Sequence, residues 1–188
     1  MNQIEPYFTC VIPMLESLIT SNTRIKLLLK FFLNRSTSAW LRSLADEFNE
    51  STNAIRIELN RFEQAGLLKS EADGNKKVYT ANTNHPLYDD IHNILLKHVG
   101  IDQVIENVIK HLGNIVRAWL GGEMALGRDS HIIDIILIGE NIDRSYLLEL
   151  SNIAEQITGR RIRTLTIPEN EELNYLQEEK HALLLWEK

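Results

Sequence analysis

The stretch Ser51-Thr52-Asn53-Ala54-Ile55-Arg56-Ile57-Glu58-Leu59-Asn60-Arg61-Phe62-Glu63-Gln64-Ala65-Gly66-Leu67-Leu68 decides how this chain is read. Ser51 is a favourable N-cap, because its hydroxyl can accept a backbone N–H that has no partner inside a helix. Ile55, Leu59 and Phe62 then recur at helical spacing and predict one buried face. Gly66 ends the helix, since glycine takes the left-handed conformation that closes a last turn. With that inner face assigned, Thr52, Asn53, Arg56, Ile57 and Asn60 point outward. Asn and Arg are the side chains best suited to bidentate bonds with adenine and guanine edges.

Working outward, residues 24–33 read as a helix with Ile25, Leu28, Leu29 and Phe32 on one face, and Ser21, Asn22 and Thr23 as candidate caps. Asn34-Arg35-Ser36-Thr37 is a polar break. A second helix carries Trp40, Leu41, Leu44, Ala45 and Phe48 on one face, and Asn49-Glu50 turns into the helix quoted above. On its other side, Leu67–Ser70 and Lys76–Thr80 read as two strands. Between them lies Ala72-Asp73-Gly74-Asn75, whose Asp-Gly step favours a type I′ turn.

Three short helices and a hairpin form a winged helix-turn-helix pattern. In such a unit the second helix braces the third, and the third presents its polar face to the major groove. The candidate DNA-binding residues are therefore Ser51, Thr52, Asn53, Arg56, Asn60, Lys76 and Lys77. Ser51 and Thr52 at a helix N-terminus suit a phosphate. Lys76 and Lys77, just past the hairpin turn, suit the backbone or the minor groove. Ile57 is expected to pack on the hairpin or on a partner chain, with a thymine methyl as the alternative.

The chain has 188 residues and a net charge of −6. A negative total argues against nucleic acid as a partner, but the charge is unevenly spread. Residues 21–82 hold ten basic and seven acidic residues, and residues 83–188 hold ten basic and seventeen acidic ones. Two parts with different partners are expected. Cys10 is the single cysteine, which excludes a disulfide scaffold and a thiolate metal sensor. His85, His92 and His98 are spaced seven and six apart, not at the i, i+4 spacing that stacks two ligands on one helix, so no cofactor or metal is expected. No apolar run approaches a membrane span, and no basic segment with an apolar block opens the sequence, so the expectation is a cytoplasmic protein.

After Asn82 the pattern shifts. Leu87–Val99 and Asp102–Leu112 read as helices split at Gly100, the second with Ile105, Val108, Ile109 and Leu112 on one face and Ile101 and Val104 as extra apolar positions. Ile115–Leu120 and Ile132–Ile138 read as strands, the second apolar except at Asp134. Residues 145–157 form a helix, 162–167 a strand ended by Pro168, 169–179 an acidic helix, and 181–186 an edge strand. The expected fold class is α+β. Its parts are an N-terminal segment 1–20, a winged helix-turn-helix 21–82, a helical connector 83–112 and an α/β module 113–188.

The stretch Leu120-Gly121-Gly122-Glu123-Met124-Ala125-Leu126-Gly127-Arg128-Asp129-Ser130-His131-Ile132-Ile133-Asp134-Ile135-Ile136-Leu137-Ile138-Gly139 resembles the core of small bacterial nucleotidyltransferase-like domains. Active members carry Gly-Ser after the first strand and Asp-hydrophobic-Asp on the second, with metal ions held by the aspartates. Here the second aspartate matches Asp134, but the first falls on Ile132, the serine falls on Glu123 or Gly122, and Ile162–Ile167 offers no third carboxylate. The resemblance therefore implies a degenerate, non-catalytic module. Gly121, Gly122 and Asp134 would be its nucleotide-binding remnant, and Asp129 or His131 would be the candidates for a substitute ligand. Asp134 is expected to accept bonds from nearby backbone or from the Gly121-Gly122 turn.

From about Leu15 onward the chain also resembles bacterial transcriptional regulators that join an ArsR-like winged helix to a nucleotidyltransferase-like domain. The residues that carry this are Leu18–Arg24, Phe48–Arg56, Glu63–Leu68, Asn84–Leu87 and the stretch just quoted. The resemblance implies binding of double-stranded DNA and a homodimer. A small ligand or protein partner is expected at the C-terminal module, and no membrane. The alternative is an active nucleotidyltransferase whose winged helix recruits substrate. A third reading is a module whose winged helix meets protein.

Overall fold

The computed structural model describes residues 14–179 and 181–188. Cys10 and most of the expected segment 1–20 lie outside them. The described residues form a mixed α+β structure with one three-stranded and one four-stranded sheet. By packing it divides into two units, residues 15–95 with 126–129, and residues 96–125 with 130–188. Residues of the expected connector 83–112 are shared between them.

In the first unit, helices α1 (Met14–Leu18) and α2 (Asn22–Phe32) precede strand β1 (Ser38–Trp40) and helices α3 (Leu41–Phe48) and α4 (Thr52–Gln64). Strands β2 (Leu68–Asp73) and β3 (Lys76–Ala81) form the hairpin, and α5 (Tyr88–Val99) follows. β1 pairs with β3 rather than β2, giving the sheet order β1-β3-β2. Helices with a hairpin and a short strand closing its sheet make a winged helix-turn-helix topology.

Strand β1 corrects the sequence reading. Trp40 was expected on the inner face of the second helix, but it ends β1 opposite Val78 and is partly exposed. Three extended residues are too few to show a period, and Trp40 next to Leu41 mimics the start of a helical stripe. Helix α3 begins one residue later, with the Ser43 hydroxyl accepting the Trp40 N–H.

α2 is buried on more sides than expected. Leu27, Phe31 and Leu33 are as inaccessible as the expected Leu29 and Phe32, because α5 also covers this helix. Tyr88 packs on Phe32 with ring centroids 5.4 Å apart, and the His92 Nδ1 lies 2.7 Å from the Phe32 carbonyl oxygen. The C-terminal half of α2 is therefore covered on all sides, while Arg24 and Lys26 near its start stay partly exposed.

The hairpin turn also differs. Asp73 pairs with Lys76, so Gly74 and Asn75 are its central residues. Only Gly74 has a positive φ, +55°, which is the type II′ pattern and not type I′. Placing glycine at the first central position removes the need for Asn75 to become left-handed.

The second unit holds α6 (Ile101–Asn107), β4 (Ile115–Gly121), the short α7 (Gly122–Ala125), β5 (Ile132–Gly139), α8 (Arg144–Thr158), β6 (Arg161–Ile167), α9 (Glu172–Glu178) and β7 (Leu183–Glu187). The sheet order is β6-β5-β4-β7, with β5 and β6 parallel and the other pairs antiparallel. Alternation along β5 sends Ile133, Ile135 and Leu137 to one face and Asp134, Ile136 and Ile138 to the other. Ile136 and Ile138 form a cluster with Ile167, on which Trp119, Tyr175 and Ala182 pack.

Two expectations shift here. On α6 the fully buried positions are Ile101 and Val104, with Val108 beyond its end, whereas Ile105 is half-buried. The acidic helix starts at Glu172, after a 3-10 turn at Glu169–Glu171 that follows Pro168. Among the described residues no helix is long and apolar enough to cross a membrane.

Candidate nucleic-acid interface

Helix α4 is fixed in three ways. The Ser51 hydroxyl accepts the Ala54 N–H at 3.2 Å, capping its N-terminus. Ile55, Leu59 and Phe62 are buried beneath it. The turn before it is held by Asn49 in the left-handed region (φ 53°) and by Glu50, which bonds Lys26 at 2.8 Å and the Thr23 hydroxyl.

A further anchor is Glu58, which the sequence reading missed. It lies on the inner stripe of α4, three residues after Ile55, and is only 5% exposed. Its carboxylate accepts Arg24 Nε at 2.9 Å, Arg24 Nη2 at 3.2 Å, Arg61 Nη1 at 2.9 Å and the Ser21 hydroxyl at 3.3 Å. Burial pushes its pKa up, but the Arg24 hydrogen bonds and the nearby guanidinium charges outweigh this and hold it below the usual carboxylate value. The signal in the sequence was Glu58 at i+3 from a core isoleucine, with Arg61 a further turn along.

The outward residues lie as expected. Thr52, Asn53, Arg56 and Asn60 are exposed on α4. Ile57 is exposed too, at 44%, so the hairpin does not cover it. Between α4 and the hairpin runs a cleft of about 680 Å³. Arg56, Asn60, Lys76 and Lys77 line it together with Trp40, Arg42, Asn75 and Tyr79. Ser51, Thr52 and Asn53 do not line the cleft. They sit at the N-terminal end of α4, with Ser51 committed to the cap.

The basic residues of this unit fall into two groups. Arg24, Lys26, Lys30, Arg35, Arg61, Lys77 and Arg128 are each ion-paired within the unit. Among the described residues Arg42, Arg56, Lys69 and Lys76 have no carboxylate partner. Three of those four line the cleft. Lys76 is held over the Trp40 ring, 4.1 Å from its centroid. Lys77 bonds Glu63 at 2.7 Å, and that hydrogen bond raises its pKa. Arg42 and Trp40 were not anticipated. Arg42 follows the β1–α3 junction, and with β1 unrecognised nothing placed it beside the hairpin.

In the second unit, Gly121, Gly122 and Asp134 come together in a cavity of about 290 Å³, with Arg163, Thr164, Tyr175 and Glu179 also lining it. Gly122 has φ +62°, and a Cβ there would overlap the Asp134 carboxylate. The partner of Asp134 is not the glycine turn that was expected. Arg163 stands beside it in the parallel register and donates its Nε at 2.5 Å. The register was not legible in the sequence, so this pairing could not be foreseen.

That geometry does not fit the metal pair of active nucleotidyltransferases. Position 132 is isoleucine, and a guanidinium neutralises the remaining carboxylate on the strand where a third acid would stand. Among the described residues no group of three His, Cys, Asp or Glu side chains is arranged to hold a metal ion, so neither Asp129 nor His131 completes one.

No family model and no curated protein matches the chain. Among solved structures it is similar to reduced HlyU from Vibrio cholerae, at 14% identity over 51% of this chain and 86% of that one, with a TM-score of 0.33. It is similar to AF1382 from Archaeoglobus fulgidus at 16% identity, over 49% and 97%, with a TM-score of 0.36. A third likeness is to human N-acetylserotonin methyltransferase in complex with SAM, at 12% identity over 59% of this chain and 36% of that one, with a TM-score of 0.29. The functional reading rests on the geometry of the cleft itself.

Proposed function

We propose that this protein is a sequence-specific transcription regulator that binds double-stranded DNA as a homodimer. The observation that carries the reading is the sorting of cations. The winged unit neutralises seven of its basic side chains internally and, among the described residues, leaves Arg42, Arg56 and Lys76 without carboxylates along one cleft. Helix α4 enters the major groove, where Arg56 and Asn60 read base edges. The N-terminal turn at Ser51, Thr52 and Asn53 meets phosphate, and Lys76 and Lys77 follow the flanking backbone. The second unit is non-catalytic, because Arg163 holds the single aspartate that the strand retains. It serves dimerisation and the binding of a small ligand or protein partner. The protein acts in the cytoplasm and needs no cofactor.

Selection of bound fragments from the source genome supplies cognate sites on which the contacts can be weighed. Arg56→Ala lowers affinity for a cognate site by roughly 1–3 kcal/mol and relaxes specificity at one position. Lys76→Ala weakens binding evenly across sequences and flattens the salt dependence. If both variants bind cognate and random DNA as the wild type does, the cleft is not the interface.

A further inference from the structure

Strand β6 is an edge of the four-stranded sheet, paired with β5 on one side only. The Arg161 N–H donates to the His131 carbonyl at 2.8 Å. Residues of a strand alternate in hydrogen-bonding direction, so Arg161, Arg163, Leu165 and Ile167 bond towards β5. Ile162, Thr164 and Thr166 direct their N–H and C=O groups to the open side. The first of these N–H groups is already used, because Ile162 donates to the Glu155 carboxylate of α8 at 2.7 Å. The next residue in that series, Pro168, has no N–H. The open edge therefore offers two residues, Thr164 and Thr166, with both backbone groups available.

Two residues separated by one are what a two-fold axis needs. We propose that β6 pairs with β6 of a second copy, antiparallel, about a two-fold axis through Leu165. In this register Thr164 meets Thr166 of the other copy, and Thr166 meets its Thr164, so four backbone hydrogen bonds form and no N–H is left unmatched. Leu165 meets its own counterpart in the close, non-hydrogen-bonded position. A register centred on Thr164 would require the Ile162 N–H that Glu155 holds.

The blocked positions select a second copy as the occupant. Ile162, whose N–H is held by Glu155, and Pro168, which has no N–H, bound the open pair at equal distances from Leu165. In an antiparallel copy of the same strand they face each other, so no N–H is left without an acceptor. Beside the edge, Leu148 of α8 is 63% exposed and Leu165 43%, and they line one groove with Ile162 and Thr166. The opposite edge, β7, lacks such a register, because a bulge between Ala118 and Trp119 interrupts its pairing with β4.

This interface deepens the dimeric reading given above. Sedimentation equilibrium of the full chain without DNA is expected to show twice the 21.7 kDa chain mass. Leu165→Lys places two like charges face to face on an already exposed site and weakens the dimer at least about tenfold. Thr166→Pro removes an N–H that only the second copy accepts, at an edge position where proline is tolerated, and weakens the dimer too, so the result does not rest on one variant. In the wild-type dimer the Thr164 and Thr166 amides exchange slowly, and in the Leu165→Lys monomer they exchange fast. The Ile162 amide is slow in both. A wild type that stays monomeric, a Leu165→Lys dimer of unchanged affinity, or fast exchange at Thr164 and Thr166 in the dimer overturns the proposal. DNA binding is read separately through Arg56→Ala, which leaves the dimer intact, so failure of the interface and failure of the DNA reading are distinguishable.

Discussion

Replacing Glu58 tests whether helix α4 is held by a buried ionic node or by apolar packing alone. Glu58→Ala removes an acceptor of four hydrogen bonds, three of them from guanidinium groups. Hydrogen bonds to charged groups contribute about 1.5–3 kcal/mol each when counted singly, and they are not additive within one carboxylate. The Arg24 side chain is 34% exposed and Arg61 57%, so both can recover water after the loss. That keeps the cost below the full penalty of stranding a buried charge, and roughly 2–3 kcal/mol is expected for the winged unit.

Hydrogen exchange at the Leu59 and Phe62 amides reports that loss locally, without assuming that both units unfold together. The pH dependence has a definite sign. The folded pKa of Glu58 lies below its unfolded value. Its contribution is therefore complete above the unfolded pKa, about 4.3, and is lost as pH falls through the folded pKa. The gap between wild type and Glu58→Gln should be wide near neutral pH and close at the acid end. A gap under about 0.5 kcal/mol at neutral pH, or one that does not change on acidification, would falsify the ionic account of how α4 is held.

Three further outcomes follow from the geometry. Gly122→Ala forces a left-handed backbone on an L-residue and drives its Cβ into the Asp134 carboxylate, so the second unit should lose about 1–3 kcal/mol in urea unfolding. Glu172→Gln disrupts the fork of Arg117 and the Trp119 indole bond, costing on the order of 1 kcal/mol. Hydrogen bonds from Arg117 lower the Glu172 pKa, so that deficit exists above the unfolded value and fades as pH falls through the folded one. Arg42→Ala should reduce the slope of log affinity against log salt by about 1 while leaving base preference unchanged, measured by fluorescence anisotropy on cognate and random duplexes.

What the sequence made legible was whatever a local period or cap dictates. Ser51, Ile55, Leu59, Phe62 and Gly66 define α4 within a single stretch, and the structure keeps all five in those roles. The residues that escaped depend on pairing across long separations. Trp40 is a strand residue because Ser38–Trp40 meets Val78–Thr80, about forty positions away, and no periodicity in three residues could show that. Arg42 reaches the cleft only as a consequence. Arg163 sits on Asp134 because β6 aligns with β5 in one parallel register, and sequence patterns do not fix which residues stand side by side. Glu58 is a different kind of miss. Its position was legible, but a charge on an inner stripe reads as an exception until Arg24 and Ser21, more than thirty positions earlier, are seen to surround it.

A chain of net charge −6 can bind DNA only if its cations are placed well. Most basic side chains of the winged unit are consumed by its own carboxylates, and Lys77 in the candidate set is among them. Long-range attraction is therefore small, and the non-specific affinity that comes from releasing counterions is small with it. The cations left over are concentrated where α4 and the hairpin meet, with Lys76 positioned by Trp40 and Arg56 directed from the helix. On the proposed DNA-binding function, such an arrangement gives up general affinity and keeps discrimination, because the wrong base then costs Arg56 its bonds with little phosphate attraction to mask the loss. It also makes the proposed second copy valuable. In that dimer, two weak, selective winged helices joined through one interface gain affinity by effective concentration rather than by added charge. The proposed pairing of the β6 edge and the sparing use of cations in the cleft thus answer the same requirement.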